Sequence, residues 1–143
     1  MKEPRAEALR WLLQAENDLG YARIGLREGY FAQVCFQGQQ ICEKALKSIH
    51  YGRFAKRNVI GHSLVELSAS LDLPDSLRQE LGVMDQYYVP TRYPNGLPGG
   101  VPYEAYTRDQ ARRALETCDR VITLAREQLP PEEQPDPEGR PPM

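Results

Sequence analysis

Between residues 4 and 28 the apolar positions Ala8, Leu12, Ala15, Leu19, Ala22 and Leu26 recur at steps of four, three, four, three and four. That alternation holds one apolar face on a 3.6-residue helix, so a first long helix is expected here. Pro4 suits its opening turn and Gly29 its end. A second pattern runs from about Tyr30 to His50. Phe31, Val34, Cys35, Ile41, Cys42, Ala45, Leu46 and Ile49 share one face, while Gln33, Gln37, Gln40, Lys44 and Lys47 fall on others. Tyr51-Gly52 closes it, Gly52 being suited to a left-handed C-terminal position.

The periodicity then breaks. Residues 52 to 62 read as a basic connection. Ser63-Leu64-Val65-Glu66 has the form of a capping box, in which hydroxyl and carboxylate reciprocally satisfy helix-start amides. It opens a short helix through Leu64, Leu67 and Leu71, stopped by Pro74. Asp75 or Ser76 caps a second short helix carrying Leu77, Leu81 and Met84. Residues 87 to 103 hold four prolines, three glycines and four tyrosines, a composition that excludes helix interior. Tyrosines among prolines suit a loop packed on the body. Thr107 then caps a last helix with Ala111, Ala114, Leu115, Cys118, Val121, Ile122, Ala125 and Leu129 inward, ended by Pro130 and Pro131.

The expected fold is therefore all-α: an up-and-down bundle of three long and two short helices with an ordered Tyr/Pro-rich crossover loop. The expected domain is residues 1–129. Residues 130–143, with six prolines and four acids, are expected to be a disordered tail.

Composition alters this picture in two places. Of 143 residues, 41% are hydrophobic and 27% charged, as in a soluble globular domain. The net charge of -2 is uneven: the tail carries -3, leaving the body 17 basic against 16 acidic residues. A near-neutral body argues against a broad nucleic-acid-coating surface and leaves room for a local basic patch. No signal peptide and no membrane-spanning apolar run is found, and a cytoplasmic location is expected. Cys35 and Cys42 sit about 10 Å apart along one helix axis, beyond disulfide range. With Cys118 they read as small core residues in a reducing compartment. No cofactor and no metal site are expected.

The candidate chemistry centres on Arg57-Asn58-Val59-Ile60-Gly61-His62. An imidazole can take or give a proton near neutral pH. A guanidinium can grip phosphate oxygens through paired hydrogen bonds and stabilise charge building on them, and Asn58 can orient either group. The plain alternative is a solvated arginine and a helix-capping histidine. Lys44, Lys47, Arg53, Lys56 and Arg57 form a basic run that suits a phosphate backbone, or equally a solvated helix end. Arg92, set among Tyr87, Tyr88 and Tyr93, can stack a base and hold a phosphate, although packed tyrosines explain the loop without a ligand.

Three segments carry a family resemblance: Gln39-Gln40-Ile41-Cys42-Glu43-Lys44-Ala45-Leu46-Lys47, Gly61-His62-Ser63-Leu64 and Tyr88-Val89-Pro90-Thr91-Arg92-Tyr93-Pro94. With the helical order they resemble a HEPN domain (higher eukaryotes and prokaryotes nucleotide-binding), as a prokaryotic stand-alone member. The resemblance implies a homodimeric helical bundle. Nuclease members carry Arg, a polar residue, a spacer and His, which Arg57, Asn58 and His62 match. They act as metal-independent, toxin-like endoribonucleases, often beside a small nucleotidyltransferase-like partner. Other members only bind nucleotides or scaffold, which keeps a non-catalytic binding or partner module as the alternative. Toxins modified by that partner carry Tyr two residues after the His; Leu64 stands there.

Overall fold

The computed structural model describes residues 3–132 together with residues 138 and 139. The N-terminal stripe forms α1, Pro4–Glu28, with Ala8, Leu12, Ala15, Leu19 and Ala22 buried. The Glu3 carboxylate caps it, accepting from the amides of Arg5 and Ala6. Gly29 closes it at φ 90°, the left-handed geometry that glycine alone adopts without penalty.

α2, Phe31–Gly52, is the element the others enclose. It packs on α1 along one side and on α6, Arg108–Glu127, along another. Between them lie α3 (Leu64–Ser68), α4 (Asp75–Asp85) and α5 (Pro102–Ala105). The result is the expected all-α bundle, with one helix more than the hydrophobic pattern showed; no strand occurs among the described residues. The tyrosine loop follows α4, makes a 3-10 turn at Pro94–Gly96 and passes through α5 into α6. It packs as expected at its start: Tyr87 is buried edge-on to Tyr106, and the Thr91 hydroxyl donates to the Tyr87 carbonyl. Gly96 permits the return, since a Cβ there would lie 2.8 Å from Pro90 Cα. Tyr93 and Tyr103 remain exposed.

Four local expectations change. Gly52 is not a left-handed stop; the helix runs through it, and Arg53 follows at φ -62°. Its role is close approach: a Cβ on Gly52 would lie 2.9 Å from both Ala8 Cβ and Pro130 Cδ. Gly52→Ala should therefore destabilise the protein in urea unfolding, because overpacking costs about 1–3 kcal/mol against a gain of about 0.5–1 kcal/mol in helix propensity. Neither Asp75 nor Ser76 caps α4, whose N-cap is Pro74 with no side-chain bond. At α3 only half the box forms, Ser63 Oγ accepting from the Glu66 amide. The other donors go to Asp85 of α4, whose carboxylate accepts from Ser63 Oγ and from the amides of Leu64 and Val65. Lys47 does not lie on an outer face but is buried.

The three cysteines are buried thiols, as expected, although Cys42 Sγ and Cys118 Sγ lie only 3.8 Å apart across α2 and α6. Burial pushes the Cys35 thiol up to about 12 and raises Cys118 as well. All three thiols are shielded from solvent by the bundle. None of the three should react with a thiol-specific disulfide reagent at pH 8 until denaturant is added, when all three should titrate. Native labelling on the timescale of a free thiol would contradict this. The expected disorder of residues 130–143 concerns mainly positions outside the described residues.

Candidate functional site

The connection between α2 and α3 carries the candidate residues, and its course is set by three anchors. The Val59 amide donates to the Tyr51 hydroxyl at 3.1 Å, and the Val59 side chain is buried. Gln39 Nε2 donates to the His62 carbonyl at 2.8 Å. Asp85 then holds the start of α3. Left-handed backbone at Ala55 (φ 50°) and Gly61 (φ 100°) turns the chain on either side of Val59.

His62 stands just before α3 with its side chain 58% exposed. Its Nδ1 lies 2.9 Å from Glu43 Oε1, and its ring stacks on Tyr88 at 4.8 Å between centroids. A carboxylate can only accept, so Nδ1 carries the proton of this bond. The neutral ring then presents the Nε2 lone pair away from Glu43, and the protonated ring presents an N–H there. Glu43 is itself buried, and its Oε2 accepts from Lys47 Nζ at 3.3 Å. One buried carboxylate thus serves an internal ammonium and a surface imidazole. The orientation of His62 is fixed by α2 and the tyrosine loop together.

Arg57 and Asn58 line an open cleft of about 750 Å³. Lys44, Arg10 and Glu7 share its wall, and Trp11 and Tyr51, stacked at 5.4 Å, contribute aromatic surface. Lys44 joins the two halves of the region, because it lines the cleft while its neighbour Glu43 holds His62. Its ammonium is ion-paired with Asp18.

The remaining predicted cations disperse. Lys47 is inside, 5.6 Å from the Trp11 ring centre and paired with Glu43. Arg53 donates to Gln128 and lies over Phe54. Lys56 Nζ donates to His50 Nδ1 at 2.8 Å, which obliges His50 Nε2 to carry the proton it gives to the Leu67 carbonyl. Arg92 lies over three rings, Phe36, Tyr88 and Tyr93, at 4.3, 4.8 and 5.1 Å, and its Nε donates to the Tyr88 carbonyl. It therefore buttresses the ring on which His62 stacks. The basic run is thus not one patch. Lys44 and Arg57 face the cleft, whereas Arg53 and Lys56 gather around Phe54.

Glu43 is the residue the sequence reading passed over. A signal was present: Gln39, Glu43 and Lys47 recur every four residues along the helix, a spacing that sets their side chains in one line. Among the described residues no group of three His, Cys, Asp or Glu side chains is disposed to hold a metal ion. No described helix is long and apolar enough to cross a membrane.

Comparison with known proteins agrees with the fold and narrows it. A family model described as "HEPN domain" matches residues 8–128. The crystal structure of TT1696 from Thermus thermophilus superposes with a TM-score of 0.79 at 37% identity, covering 86% of this chain and 98% of that one. The structure of ST0689, an archaeal HEPN homologue, gives 0.74 at 32% identity, covering 91% and 100%. A protein of Methanocaldococcus jannaschii named "Putative toxin MJ1304" is 24% identical over 130 residues, 83% of this chain and 86% of its own length.

Proposed function

The chain belongs to the HEPN domain family, and from that premise we propose that it is a toxin-like, metal-independent endoribonuclease working as a homodimer. The observation that carries the proposal is His62, an exposed imidazole whose Nδ1 is held by a buried carboxylate, which leaves Nε2 as the nitrogen for a substrate. A histidine that merely filled space would need neither the dyad nor the stacked tyrosine. The kinship to the protein named "Putative toxin MJ1304" supports the same reading.

In this mechanism RNA supplies its own nucleophile. His62 Nε2 takes the proton of a 2′-hydroxyl, whose oxygen attacks the adjacent phosphorus. The P–O5′ bond breaks, and the 5′-oxygen leaves with a proton from an imidazolium. One chain offers one such histidine in this region. The His62 of a second copy, related by a two-fold axis, supplies the other role. Arg57 neutralises the charge gathering on the equatorial phosphate oxygens, Asn58 orients it, and Lys44 lies along the same cleft. The stacked Trp11 and Tyr51 favour a second reading, a module that holds a nucleotide in this cleft without cutting, alone or beside a nucleotidyltransferase-like partner.

The test is incubation of the purified protein with single-stranded and structured RNA in EDTA, followed by analysis of the product ends. Cleavage leaving 2′,3′-cyclic phosphates is expected. Cleavage abolished by EDTA would defeat the mechanism. RNA or nucleotide binding by an intact dimer, without cleavage of either substrate, would favour the second reading.

A further inference from the structure

Lys47 is a buried cation that takes no direct part in the proposed reaction. Its side chain is 8% exposed, as is that of Glu43, and its Nζ donates to Glu43 Oε2 at 3.3 Å. The Trp11 ring centre lies 5.6 Å from the ammonium. The other oxygen of the same carboxylate, Oε1, meets His62 Nδ1 at 2.9 Å. Lys44, the next cation along α2, is ion-paired with Asp18. Glu43 thus stands between an internal ammonium and a surface imidazole, with one oxygen for each. The Nδ1 bond leaves a lone pair on Nε2 only while Glu43 is a carboxylate. A protonated carboxyl donates to Nδ1 instead, and the ring proton then sits on Nε2.

We propose that Lys47 is a positioning residue: its buried ammonium holds the Glu43–His62 pair to a single proton, on Nδ1, and so keeps Nε2 as a base. The balance of charge requires it. A carboxylate and a neutral ring together carry one negative charge, which the ammonium offsets inside the bundle. Without Lys47 that charge is buried and unpaired, and it stays costly until the pair takes up a proton. The proton has two places to settle. On Glu43 it makes a carboxyl that donates to Nδ1, and the ring proton passes to Nε2. On His62 it makes an imidazolium paired with the carboxylate. Nε2 is protonated in both, so the copy acting as base has lost its lone pair.

The use of that lone pair on a 2′-hydroxyl rests on the preceding reading; the protonation pattern does not, and it is measured without RNA. The ring nitrogens of isotope-labelled protein are observed by NMR at a pH of about 8, where an ordinary imidazole is neutral. The chain has two histidines, and the signals lost in His62→Ala belong to His62. Wild type should show His62 protonated on Nδ1 and His50 on Nε2, opposite tautomers in one molecule. In Lys47→Met, whose thioether suits the place beside Trp11, His62 should carry a proton on Nε2 while His50 is unchanged. Glu43→Gln puts the same question with Lys47 in place. Its amide oxygen should turn to the ammonium and its NH2 to Nδ1, again setting the ring proton on Nε2. Circular dichroism reports which variants fold, and one folded variant decides. In RNA cleavage, Lys47→Met should lower kcat on the order of 10²-fold with KM within a few-fold, because Lys47 lies too deep to touch substrate. The expected tautomers with no cleavage by any form would uphold the role of Lys47 and remove the ribonuclease reading. A lone pair on Nε2 in a folded variant, or a proton there in the wild type, overturns the proposal, even if the variants cleave slowly.

Discussion

His62→Ala should lower RNA cleavage about 10²–10⁴-fold in EDTA while leaving the circular dichroism spectrum and the urea midpoint close to wild type. The separation of the two readouts follows from position. The side chain is 58% exposed and gives up mainly its stack on Tyr88 and its bond to Glu43, which retains Lys47 as a partner. Little core is lost, so a fall in rate reports chemistry. Arg57→Ala should act in the same direction, by about 10²–10³-fold, through weaker stabilisation of phosphate charge. If one histidine is base and its symmetry mate acid, a mixed dimer with one His62→Ala subunit should be almost as slow as the double variant. A mixed dimer at half the wild-type rate would mean that each subunit works alone. Cleavage by His62→Ala within a few-fold of wild type would remove His62 from the reaction altogether.

Glu43→Ala should produce the largest loss of stability of any single change in this region, about 3–5 kcal/mol. The Glu43 and Lys47 side chains are each only 8% exposed, and the ammonium has the Trp11 ring near it as well as the carboxylate. Taking away the carboxylate leaves a buried cation with no counter-charge, which is far costlier than losing a surface pair. Domains of this size commonly have a total stability of about 5–15 kcal/mol, so the variant should unfold at much lower urea concentration. The double change Glu43→Leu with Lys47→Met removes both charges and should recover most of the midpoint. It should not recover cleavage, because His62 Nδ1 still lacks its acceptor. A Glu43→Ala midpoint indistinguishable from wild type would show that Lys47 reaches water, and the internal pair would lose its structural meaning.

These residues also mark where periodicity stopped being a guide. The stripe of α1 was legible because every position inside it is apolar, and all but Leu26 are fully buried. The last helix was legible for the same reason, aided by Thr107 and Gln110, which close the reciprocal cap locally. α2 defeats the rule because it is enclosed on several sides. Gln39, Glu43, Lys47, Ser48 and His50 are all inside, each satisfied by a partner distant in sequence or one turn away. A reading that assigns polar residues to solvent must misplace them. The Arg57–His62 segment stood out by residue type alone, yet the features that shape it come from elsewhere. Glu43 is 19 residues before His62, and Asp85 is 22 residues after Ser63. Gly52 was misread because a glycine near a helix end has two uses, a left-handed turn and a close approach, which no local pattern separates.

The bond from the Val59 amide to Tyr51 divides the connection into two spans. Arg57 and Asn58 belong to the span before it; Ile60, Gly61 and His62 belong to the span after it. A chain pinned at its midpoint can change length on one side without disturbing the other. An insertion between Val59 and Gly61 adds little closure entropy, because that term grows only with the logarithm of loop length. Gln39 and Asp85 would still hold His62 and the start of α3, while Arg57 and Asn58 would keep their place on the cleft. The number of residues separating arginine from histidine is therefore free to drift over evolutionary time, whereas the pin itself is not.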